Sequence, residues 1–108
     1  MQIETIKQDD GSQLIRINGD MDSQGCSELQ PEFDQLVSGE SLFDTTISLA
    51  GVDFLDSSGI GAIVFLFKRL KAQGKSLSLI DVHGQPMEII KLLRIDSAIS
   101  VDAAQSTG

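Results

Sequence analysis

Two adjacent hydroxyls follow a carboxylate at Asp56-Ser57-Ser58-Gly59, between runs of different periodicity. Before them, Thr45-Thr46-Ile47-Ser48-Leu49-Ala50 reads as a strand; after them, the apolar run from Ile60 to Leu70 reads as a helix. The serines therefore stand at a helix N-terminus, where unpaired backbone N–H groups and the positive end of the helix dipole gather. A serine there is either a cap or a modification site, because a phosphoryl group is electrostatically welcome at that end. Capping by one serine accounts for one hydroxyl. It does not explain the pair, or Asp56 beside it.

Other chemistries fit less well. A hydrolase would need Ser57 or Ser58 as nucleophile, His83 as base and Asp81 as its orienter. Positions 81 and 83 in a strand point the same way, and a base and its orienter do not normally hydrogen-bond from there. Asp-Ser-Ser-Gly is also not the Gly-x-Ser-x-Gly turn of a nucleophile elbow. His83, beside Gly84, reads as a solvent-facing turn residue, and no residue is assigned as catalytic. One Cys, one His and no carboxylates paired at helical spacing near either leave no metal site to expect. Gly59-Ile60-Gly61 lacks the Lys-Ser/Thr of a phosphate-binding loop. Two glycines opening an apolar helix instead permit close backbone packing or an exposed turn. No cofactor is expected.

The elements that position this stretch can be read on either side of it. Ile3 to Ile6 and Leu14 to Ile17 are short strands, and Asp9-Asp10-Gly11-Ser12 between them carries a hairpin signal. Gly19-Asp20-Met21-Asp22-Ser23 supplies turn and cap residues. Cys26, Leu29, Phe33, Leu36 and Val37 then lie on one helical face. Pro31 interrupts that helix and places its firmest part after residue 30. Thr45 to Ala50 is expected to be a central strand. In the next helix Ile60, Ile63, Val64, Phe67 and Leu70 form the stripe, widened by Ala62 and Leu66, and Ile63 and Phe67 are expected in the core. Gly74 ends it. Ser76 to Val82 is a strand, and Pro86 suits the first turn of a helix carrying Met87, Ile89, Ile90, Leu92 and Leu93. Ile95 to Val101 is a final strand or turn. The order predicts an α/β fold, a mixed four- to five-stranded sheet with helices packed on it, in one domain over 1–102 with a flexible tail over 103–108.

The chain has 108 residues and a net charge of −8. That length suffices for one domain with a core that needs no staples. Its distribution of charge is uneven: from Ile17 to Phe67 there are nine acids and no Lys or Arg. Lys68, Arg69, Lys71 and Lys75 follow directly. So acidic a segment argues against nucleic acid and fits a basic protein surface, or simply a solubilising face. The lone Cys26 allows no internal disulfide and suits a reducing cytoplasm. No run approaches the ~20 apolar residues of a membrane span, so no membrane insertion is expected.

The stretch Val52-Asp53-Phe54-Leu55-Asp56-Ser57-Ser58-Gly59-Ile60-Gly61 resembles the signature loop of the STAS domain family, of the anti-sigma factor antagonist type. The resemblance extends across nearly the whole chain, through Gly19-Asp20-Met21-Asp22, the Thr45 to Ala50 strand and Gly74-Lys75-Ser76-Leu77-Ser78-Leu79. It implies a STAS-like fold and a phosphorylation-controlled protein-binding switch, not an enzyme. It implies that Ser57 is the phosphoacceptor, that Ser58 is a loop or cap residue, and that Asp22 lies near the loop. Asp22, Asp56, Ser57, Ser58 and Gly59 would then face the partner. The implied partners are a serine kinase of the histidine-kinase-like ATPase type, acting also as an anti-sigma factor, and a PP2C-type phosphatase. The same fold also serves as an accessory subunit of lipid or anion transport systems, without phosphorylation.

Overall fold

The computed structural model describes residues 2–38 and 43–104. In chain order it has β1 (Gln2–Lys7), β2 (Gln13–Asn18), α1 (Ser23–Val37), β3 (Thr45–Gly51), α2 (Ser57–Ala72), β4 (Leu77–Val82) and α3 (Gly84–Leu92). A 3-10 turn over Ile95–Ser97 leads into β5 (Ser100–Ala103). The Asp10-Gly11 turn closes an antiparallel β1–β2 hairpin, with Lys7 opposite Gln13. Every other neighbouring pair is parallel, and the five strands lie in sequence order, which puts β3 in the middle.

Register explains where the core sits. Ile15 pairs with Ile47 and Ile47 with Leu79, so one row of buried aliphatics crosses the three inner strands. Side chains alternate in a strand, so the next row, Arg16, Ser48 and Ile80, lies on the other face. Leu29, Phe33, Ile63, Leu66, Leu70 and Ile90 from the three helices join the first row in a single cluster.

The structure corrects several sequence expectations. Helix α1 starts at Ser23, eight residues before Pro31, which stands inside it. Proline removes the bond to the Ser27 carbonyl and costs a helix interior about 3 kcal/mol. Leu29 and Phe33 are fully buried, and at about 1.5–3 kcal/mol each their burial outweighs that cost. In α2 the buried positions are Gly59, Ile60, Ile63, Leu66 and Leu70. Phe67, expected in the core, sits on the shoulder of the stripe, half-buried, with Lys71 Nζ 5.7 Å from its ring centre. At the end of α3, Leu92 and Leu93 are exposed, because the chain turns away at Arg94 with a left-handed φ of 57°. Strand β5 includes Ala103, and the Ala104 N–H donates to the Val82 carbonyl, so pairing continues past position 102. Residues 105–108 of the expected tail lie outside the described residues.

Candidate functional site

The segment between β3 and α2 is anchored from three sides. Val52 and Leu55 are fully buried, whereas Asp53 and Phe54 point outward. Met21, also fully buried, forms a parallel bridge with Leu55: its N–H donates to the Phe54 carbonyl at 2.9 Å, and its carbonyl accepts from the Asp56 N–H at 3.3 Å. The third anchor is Gln85 in the first turn of α3. Its Oε1 accepts the Leu55 N–H and its Nε2 donates to the Leu55 carbonyl, both at 2.8 Å. The chain reaches this position through a twist at the end of β4, where Asp81 and Gly84 both have left-handed φ values.

Past the anchors the chain enters α2 with Asp56 as the N-cap. Its Oδ1 accepts the N–H groups of Ser58 at 2.8 Å and Gly59 at 3.2 Å. The cap is therefore the carboxylate, not a serine, and this accounts for Asp56 beside the hydroxyl pair. Asp22 caps α1 in the same way, accepting the Gly25 N–H at 2.8 Å. Because the Met21–Leu55 bridge joins the two entering segments, the two capped helix ends lie side by side. Both carboxylates act on Cys26, in the first turn of α1. Burial, then Asp56 and Asp22, push its thiol pKa up, so it stays protonated and uncharged at neutral pH.

The expected site residues fall into distinct places. Ser57 is the first residue of α2 and is exposed; among the described residues its hydroxyl has no hydrogen-bond partner. Ser58 is half-buried and lines an open groove of about 510 Å³ between α1 and α2, with Ser23, Cys26, Ser27, Gln30 and Gly61 among its other walls. Gly59 is buried. A Cβ there would collide with Leu55 Cδ1 and come within 2.6 Å of the Met21 carbonyl oxygen, so glycine permits the close approach of the two segments. Gly61 differs, since nothing lies within 4 Å of where its Cβ would be. Asp22 and Asp56 are half-buried at their caps.

The residues of the hydrolase reading are engaged elsewhere. Asp81 Oδ2 accepts from Ser48 Oγ at 3.1 Å. His83 is not a free turn residue: its Nε2 lies 3.0 Å from the Ala50 carbonyl and 4.0 Å from Asp53 Oδ1. Sequence reasoning missed Gln85 as a site residue, because no spacing rule links position 85 to position 55. The Asp56 cap was open to discovery, since Asp ranks with Ser as an N-cap and its reach to the N–H groups two and three residues on is fixed by helix geometry.

The fold and this loop define a one-sided α/β domain that displays a serine at a carboxylate-capped helix start. The sequence model described as "Mlab, STAS domain" matches residues 4–101, and the chain belongs to the STAS domain family. It is 27% identical over 103 residues to the anti-sigma-B factor antagonist of Bacillus subtilis, covering 95% of this chain and 93% of that one. An anti-sigma-factor antagonist (STAS) domain protein from Planctomyces limnophilus has the same fold, with a TM-score of 0.78 at 21% identity over 95% of this chain and 90% of its own. The phosphorylated form of the Bacillus cell fate determinant SpoIIAA also shares it, with a TM-score of 0.73 at 14% identity over 96% of this chain and 93% of its own. No helix among the described residues is long and apolar enough to cross a membrane.

Proposed function

We propose that this chain is a phosphorylation-controlled protein-binding switch, an anti-sigma factor antagonist acting in the cytoplasm. With Ser57 unmodified it binds a serine kinase of the histidine-kinase-like ATPase type that doubles as an anti-sigma factor. Phosphorylation of Ser57 releases that partner, and a PP2C-type phosphatase resets the switch. The observation that carries the reading is the division of labour at the start of α2. Asp56 supplies the cap, so the Ser57 hydroxyl is exposed and unengaged, beside helix N–H groups whose dipole tolerates a phosphate. The antagonist relative that spans nearly the whole chain and the phosphorylated state of SpoIIAA support it.

In this reading Asp22, Asp56, Ser57 and Ser58 form the docking edge, and the buried Gly59 shapes it. The chain contributes a surface and a phosphoacceptor rather than a catalytic group. The test is affinity purification followed by mass spectrometry of the co-purified proteins and of the loop. Recovery of such a kinase, with phosphate on Ser57 after addition of ATP, is expected. Phosphate confined to Ser58 would overturn the acceptor assignment. Recovery of transporter subunits with both serines unmodified would overturn the switch, in favour of an accessory role in lipid or anion transport.

A further inference from the structure

We infer that Gln85, outside the signature loop, is a positioning residue for the phosphoacceptor; this rests on the switch reading of Ser57. Leu55 lies two residues before Ser57, and both of its backbone polar groups are held by the Gln85 side chain at 2.8 Å. A primary amide offers one acceptor and two donors on a single rigid plane, so it can satisfy an N–H and a C=O of one residue together. No other side chain among the described residues hydrogen-bonds to the backbone of residues 52–55. The Met21 bridge holds Phe54 and Asp56 from the α1 side, and Gln85 holds Leu55 from the α3 side. Between them they leave the approach to Asp56 one backbone path, and so set the direction in which α2 starts and Ser57 is presented. Without the amide the Met21 bridge and the buried Val52 and Leu55 side chains remain but the Leu55 backbone loses both of its partners, and the Ser57 hydroxyl spreads over several orientations. Phosphoryl transfer depends on positioning, and a misplacement near 1 Å can cost about a hundredfold in rate.

The test compares wild type, Gln85→Met and Gln85→Glu as full chains. Amide hydrogen exchange by NMR is read at Leu55 and at Ile47 in the sheet core. Steady-state phosphorylation is read with the kinase that co-purifies with wild type. In Gln85→Met, protection at Leu55 should fall at least about tenfold further than at Ile47. The kcat for Ser57 should fall about ten- to hundredfold and KM should change less, since Asp22, the part of the docking edge on α1, keeps its own cap. Gln85→Glu adds a signature that a purely structural role would not show. Its carboxylate accepts the Leu55 N–H but repels the carbonyl, and protonation restores a donor. Leu55 protection in this variant should therefore recover as pH falls from 7 to 4.5, while wild type stays flat. Equal loss of protection at Leu55 and Ile47, or a wild-type kcat in Gln85→Met, would overturn the inference. Absence of phosphate on wild-type Ser57 would instead overturn the proposed function, and the exchange data would still decide whether Gln85 sets the loop.

Discussion

Replacing Asp56 by alanine should destabilise the domain more than any change at Ser57. The carboxylate satisfies two of the orphan N–H groups at the start of α2, at 2.8 and 3.2 Å. Loss of an N-cap costs about 0.5–2 kcal/mol, typically near 1. Loss of a negative charge at the positive helix end costs about 0.3–1 kcal/mol more. The net expectation for Asp56→Ala is about 1–2 kcal/mol. Asp56→Asn keeps the acceptor and loses only the charge, so it should cost well under 1 kcal/mol. Ser57→Ala removes an exposed hydroxyl and introduces a better helix former, so it should lie within about 0.5 kcal/mol of wild type. Urea unfolding followed by circular dichroism resolves this order, because a domain of this size has a slope near 1–1.5 kcal/mol per molar urea and the Asp56→Ala midpoint should drop by about 1 M. A Ser57→Ala loss equal to that of Asp56→Ala would refute the reasoning, since Ser57 would then be the cap.

Denaturant melts should also show Leu66→Ala costing about 2–5 kcal/mol and Phe67→Ala about half as much, in line with their burial; the reverse order would mean that α2 is rotated about its axis. Gly59→Ala should destabilise by about 1–3 kcal/mol, because the Met21 carbonyl in its path is backbone and cannot step aside, whereas Gly61→Ala should stabilise by about 0.4–1 kcal/mol. Ser57→Asp should weaken binding of the co-purified kinase, and phosphate should weaken it further. One unit charge facing a like charge at about 6 Å, with an effective dielectric near 20, costs roughly 3 kcal/mol, about a hundredfold in affinity. Calorimetric titration of the three forms checks this, and equal affinities would leave a constitutive binding module. Binding should also weaken as salt rises, because the acidic segment from Ile17 to Phe67 acts through charges screened over about 8–10 Å; an affinity flat from low to high salt removes that segment from the interface.

Much of this protein was written locally along the chain. Strand alternation in Leu14 to Ile17 and Thr45 to Ala50 is a period-2 signal that depends only on neighbours, and both strands lie where the pattern put them. The Asp10-Gly11 turn and the placement of Asp56-Ser57-Ser58-Gly59 at a helix start followed from turn and cap chemistry of equally short range. What local rules weighed wrongly was settled by packing. Pro31 argues against a helix starting at Ser23, until the sheet gives Leu29 and Phe33 a surface to cover. The stripe of α2 admits either Leu66 or Phe67, and the direction of the sheet beneath it chooses Leu66. The need for glycine at 59 depends on Met21, thirty-eight positions earlier, and the hold on Leu55 depends on Gln85, thirty positions later. Contacts between residues so far apart in sequence have no period to betray them. They exist only once β2, β3 and β4 are aligned in parallel and bring the starts of α1, α2 and α3 to one edge of the sheet. Local chemistry therefore marked the residues of the proposed switch, and the packing of the helices on the sheet selected which serine is exposed and what holds the loop in place.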